Sequence, residues 1–132
     1  MKIGADTNLL LRAAVRDDAQ QAIAAARVLR TAELVAVPVA ALREFAWVMR
    51  SLYKKPALEV ARSIRSLVAS PNVVTQHPAV EAGLAVLDMG GDFADGAIAY
   101  EGRWLGAEEF VSFDKQAVTI LRSQGHKARL LS

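Results

Sequence analysis

Apolar and polar positions along this chain fall into short blocks whose period switches repeatedly between strand-like and helix-like. Residues 2–5 are a brief apolar run that predicts a buried first strand, and Leu9, Leu10 and Ala13 continue it as a helix. Ala19–Thr31 is alanine-rich, with Ile23, Val28 and Leu29, and reads as a second helix. Residues 34–37 carry a β-branched run stopped by Pro38, which suits the first turn of a helix over 39–53. Pro56 opens a further helix in which Ala57, Val60, Ala61, Ile64, Leu67 and Val68 share one face. Downstream the pattern predicts a strand at 72–75, helices at 77–87 and 93–104, a strand at 110–112, a helix at 115–124 and a final strand at 128–131.

Strands that alternate with helices argue for a parallel sheet covered on both faces. Ligands of such sheets bind at the carboxyl ends of strands, near a topological switch point, which directs attention to the residues just after Ala5 and just after Ser112. No linker, repeat or low-complexity tract interrupts residues 1–132, so the chain reads as a single domain long enough to bury a core. A hydrophobic fraction of 53% and a charged fraction of 23% describe a globular chain rather than a disordered one. No apolar run approaches the roughly 20 residues of a membrane helix, and the N-terminus does not resemble a signal peptide. The absence of cysteine removes disulfides and thiolate metal sites, in keeping with a cytoplasmic protein. Sixteen Lys plus Arg against fourteen Asp plus Glu leave +2, a slight bias toward anionic partners.

The acidic residues carry the candidate chemistry. Asp6 follows the first strand in ADTNLLLR, and Asp114 follows another in VSFDKQAV. Each has a plain explanation as a helix N-cap, but two acids at two strand ends also form the arrangement expected of a ligand site. Glu44 falls at the margin of the apolar face defined by Ala41, Leu42, Phe45, Val48, Met49 and Leu52, with Arg43 and Arg50 directed away from that face. In GGDFADGAIAY, residues 90–100, Asp92 and Asp95 stand three apart where a helix begins, with small Gly96 and Ala99 beside Asp95 leaving space for a ligand. Like charges about 4 Å apart repel by about 1 kcal/mol even in water, so a raised pKa, a basic partner or a cation must offset the pair.

In order along the chain, Asp6 in DTNLLLR, Glu44 in REFAWV, Asp92 and Asp95 in DFADGAIA, and Asp114 in SFDK resemble the PIN domain, and more narrowly the VapC-type toxins of bacterial toxin–antitoxin pairs. The likeness runs through nearly the whole chain. It implies a three-layer α/β/α sandwich with a central parallel sheet and a ribonuclease that uses Mg²⁺ or Mn²⁺. By motif the acidic quartet falls on Asp6, Glu44, Asp95 and Asp114, with Asp92 as an additional acid and Asn8 and Ser112 as supporting polar residues. Asp6, Asp95 and Asp114 are then expected to bind metal directly or through water, and Glu44 and Asp92 to orient metal-bound water or a second ion. Gly96 stands where the family more often has alanine, a departure expected to loosen the helix start.

The resemblance further implies an RNA substrate, tRNA among the candidates, a homodimer, and a cognate antitoxin that covers the acidic cleft. Arg12, Arg16, Lys54, Lys55, Arg103 and Lys115 lie near loops or element ends and are candidate phosphate contacts; a solvated surface charge is the plain explanation for each. Trp47 and Trp104 read as core or interface packing ahead of base stacking. His77 and His126 fall in expected loops without the spacing of a metal site or nucleophilic triad. The face of residues 56–70 reads as intramolecular core ahead of a partner surface. A competing class is a catalytically idle PIN-fold module that binds RNA or protein. An aspartyl-nucleophile phosphatase expects a second Asp two residues after the first, where this chain has Asn8, and a receiver-type domain expects early clustered acids that are missing.

Overall fold

Short strands and longer helices alternate through the computed structural model, which describes residues 1–132 and divides into two compact units, 1–76 and 77–132. The first unit contains β1 (Lys2–Gly4), α1 (Thr7–Val15), α2 (Ala19–Thr31), β2 (Leu34–Ala36), α3 (Val39–Ser51), α4 (Ala57–Val68) and β3 (Val73–Val74). Its three strands are parallel and ordered β1-β2-β3, with Lys2 opposite Leu34 and Val35 opposite Val73. The ladders continue past the strand ends, where Ala5 N–H donates to the Ala36 carbonyl and Val37 N–H to that of Val74, both at 2.9 Å. β2 lies in the middle of this sheet and Val35 is fully buried.

β1 departs from the expectation of a buried strand. It is an edge of the three-stranded sheet, Lys2 and Gly4 are exposed, and burial begins only at Ala5. An edge strand has a neighbour on one side only, whereas β2, equally short, is flanked on both. Asn72 fastens the approach to β3 by donating from Nδ2 to the carbonyls of Leu29 and Ala32 at 2.8 and 3.0 Å. Pro38 occupies the N-cap of α3 rather than its first turn. On α4, Val60, Ala61 and Ile64 are at most 1% exposed, so the amphipathic face of residues 56–70 is core and not a free partner surface. Full burial of a side chain the size of Val60 or Ile64 stabilises by roughly 1.5–3 kcal/mol. Trp47, expected in core or interface packing, is 61% exposed on α3 and so is not core.

The second unit contains α5 (His77–Asp88), α6 (Phe93–Trp104), β4 (Phe110–Ser112), α7 (Lys115–Ser123) and β5 (Ala128–Leu130). β4 and β5 pair in parallel, Phe110 opposite Ala128, with α7 as the crossover helix. Val86, Ala99, Val118, Ile120, Leu121 and Ala128 form one buried cluster, against which Phe110 packs. Helices α5 and α6 approach closely because glycines face each other's element: Gly83 lies against the Phe93 ring, and Gly96 against the Ala82 carbonyl and Gly83 Cα. His77 is the first residue of α5, not a loop residue, whereas His126 does lie in the loop before β5. Trp104 is 81% exposed at the end of α6 and packs in no core. In each sheet the strand order follows the chain, so neither sheet by itself has a switch point. No helix is long and apolar enough to cross a membrane.

Candidate functional site

Acids stand where strands end and helices begin in both units, and the chain conformation there explains why. Asp6 has extended backbone and caps α1, its Oδ1 accepting from Leu9 N–H at 2.9 Å. Its side chain is exposed, as is that of Asn8 in the first turn, so one carboxylate oxygen of Asp6 is left facing water. α3, which carries Glu44, packs against α1. Glu44 is exposed, while neighbouring Arg43 and Arg50 are half-buried, which reverses the expected order around this helix. The Nε atom of Arg43 is buried and has no hydrogen-bond partner.

The second unit gathers three aspartates. Asp92 is the N-cap of α6, so it precedes the helix rather than sharing its face, and its Oδ1 accepts from Ala94 N–H at 3.2 Å. Asp114 caps α7 directly after β4, its Oδ1 accepting from Ala117 N–H at 3.1 Å. Ser112 holds this corner, since its Oγ accepts from Asp114 N–H at 2.9 Å. Asp95 sits in the first turn of α6, half-buried, with its backbone N–H donating to the Asp92 carbonyl at 3.0 Å. Burial first, then repulsion from Asp92 and from Asp114, pushes the Asp95 carboxyl up to about 6. The helix N-terminus offsets only part of that cost. Gln116, in the first turn of α7, reaches the Gly90 carbonyl at 3.4 Å and links the turn before Asp92 to the helix that Asp114 caps. No sequence pattern singles out Gln116, because a glutamine on a helix is ordinary until its target is known.

The space beside Asp95 differs from expectation. Gly96 and Ala99 are buried, and the side of Gly96 is closed by α5, so these small residues admit a neighbouring helix and not a ligand. The same contact accounts for glycine where alanine was expected, because a methyl group there would collide with the Ala82 carbonyl. Access to Asp95 is instead from its exposed half.

Among the expected phosphate contacts, Arg12 is held by Asp17 at 2.9 Å and Lys55 pairs with Glu59 at 3.7 Å, one helical turn apart. Arg103 lies over the Tyr100 ring at 5.9 Å. Burial first, and then the charge of Arg103, hold the His126 imidazole below its usual range. Arg16 and Lys54 both adopt left-handed backbone, with φ of 59° and 56°, and Lys115 follows Asp114 at the start of α7.

No three acidic or histidine side chains are grouped tightly enough to hold an ion by themselves. The donors present, carboxylate oxygens partly occupied by helix capping, fit a hydrated Mg²⁺ or Mn²⁺ that uses one or two carboxylates and keeps its waters; they do not fit an all-protein cage. Neither a scan against protein-family models nor a search of curated proteins found a match to this chain.

Proposed function

We propose that this chain is a metal-dependent endoribonuclease that hydrolyses RNA phosphodiester bonds. The observation that supports this reading is the trio Asp92, Asp95 and Asp114, three carboxylates kept within mutual repulsion while one of them is half-buried. A structural role explains each cap singly, but Asp95 caps nothing, and its charge is a net cost to the fold unless a cation or proton meets it. When bound, a divalent cation supplies charge neutralisation at a phosphate oxygen and a more acidic water. Asp95 and Asp114 would hold it, with Asp92 orienting its water. Each capping aspartate keeps one oxygen on a backbone N–H, which fixes the direction of the other. Asp6 and Glu44 belong to the same proposal on the resemblance to PIN domains alone, as do the three-layer sandwich, the homodimer, the toxin role and inhibition by an antitoxin.

The test is incubation of purified protein with a mixed RNA pool that includes tRNA, in Mg²⁺ or Mn²⁺ and in chelator, beside Asp95→Asn and Asp114→Asn. Cutting that needs the cation and disappears in both variants supports the nuclease. RNA or protein binding with no cutting and no cation affinity would replace it with the idle binding module.

A further inference from the structure

We infer that Arg16, Arg27 and Arg30 form a second, metal-independent site that grips the phosphate backbone of single-stranded RNA. The three line one recess of about 200 Å³ that lies along α2 and reaches the end of α1, with Ala22, Ala26 and Ile23 as its remaining walls. Every charged group that lines it is therefore a guanidinium. Ile23, Arg27 and Arg30 follow one another at helical spacings of four and three along α2, so they share a stripe. Arg16 joins them from the left-handed residue that ends α1.

The acids nearest in sequence are engaged elsewhere. Asp17 is held by Arg12 and accepts from Tyr53 Oη at 3.3 Å, Asp18 caps α2 through Gln21 N–H, and Glu33 faces Lys2 at 3.8 Å. Three exposed arginines thus line one recess that no acidic residue lines, on a chain whose total formal charge is only +2. Guanidinium is the side chain best shaped for bidentate contact with phosphate oxygens. A nucleic-acid strand presents one such charge per nucleotide in any sequence, and Ile23, 61% exposed beside the arginines, offers an apolar contact for a sugar or base. An acidic peptide would need several suitably spaced carboxylates to do the same. The choice of RNA over other polyanions rests on the nuclease reading; the anion site itself rests on the arginines.

The experiment is fluorescence anisotropy with a labelled, 2′-O-methylated mixed-sequence RNA strand in chelator across a salt series. It compares wild type with R16A/R27A/R30A and with Arg62→Ala, an exposed arginine on α4. Far-UV circular dichroism checks that α2 is intact, as expected when exposed arginines become alanine. The triple variant is expected to bind roughly tenfold more weakly at low salt, with a salt slope shallower by about 0.7 for each phosphate it no longer neutralises, while Arg62→Ala matches wild type. Equal affinity and slope in wild type and triple variant would overturn the site, as would wild-type binding to a polyglutamate peptide and not to RNA. Because no metal is present, loss of this binding and loss of metal-dependent cutting are read separately. Intact binding with no cutting and no cation affinity sinks the nuclease and leaves the arginine site standing.

Discussion

Replacing Asp114 by alanine removes a helix cap and a candidate metal ligand together, and the two losses can be separated. The cap through Ala117 N–H is worth about 1 kcal/mol, and asparagine caps nearly as well as aspartate. Asp114→Ala is therefore expected to lower stability by about 1 kcal/mol in urea unfolding, and Asp114→Asn to leave it nearly unchanged, while both abolish RNA cutting. Asp95 behaves differently because it caps nothing. Its carboxyl holds a proton up to about pH 6 in the folded chain against an ordinary value of 3.8. Between those values the folded state binds more protons than the unfolded one, so stability falls as pH rises through that window and levels off above it. Asp95→Asn abolishes this loss. After discounting for the exposed half of the side chain, the variant is expected to be more stable than wild type by about 1 kcal/mol at about pH 7.5 without metal, and equal to it near pH 4. Denaturant melts at the two pH values check this; a wild type more stable than the variant at the higher pH would contradict it.

Among the elements, the α5–α6 pair depends most on a single position. A methyl group at Gly96 meets backbone, which cannot swing aside as a side-chain tip can. Gly96→Ala is expected to cost about 1–3 kcal/mol despite alanine's better helix propensity, measurable as a lowered Tm. Element boundaries in this chain were largely legible, since Asp6, Pro56 and Asp114 mark helix starts and the apolar periods differ cleanly. What escaped was pairwise. Nothing in GGDFADGAIAY reveals that Gly96 faces Ala82, because the partner lies in another helix. The core reading of Trp47 failed for a related reason: its helix is apolar enough to suggest core, yet Leu42, Phe45, Ala46 and Met49 already fill the buried face. Arg27 and Arg30 read singly as solvated charges, and only their recess with Arg16 sets them apart.

For the whole molecule, a cation that binds the folded chain and not the unfolded one must raise its stability. At about ten times Kd, Mg²⁺ or Mn²⁺ is expected to add about 1.4 kcal/mol to wild type and almost nothing to an Asp95→Asn, Asp114→Asn double variant. Thermal melts against cation concentration decide it; equal shifts in both proteins would place the cation elsewhere. The candidate acids were legible in sequence as a set, but which of them interact was not, since repulsion among Asp92, Asp95 and Asp114 depends on how α6 and α7 begin. The strand pairings bear on how the chain emerges from a ribosome. Lys2 finds Leu34, Val35 finds Val73, and Phe110 finds Ala128, so each ladder partner for the N-terminal strands is already synthesised before residue 77 is added. Every strand of that sheet therefore leaves the ribosome before β4 and β5, which carry the second ladder.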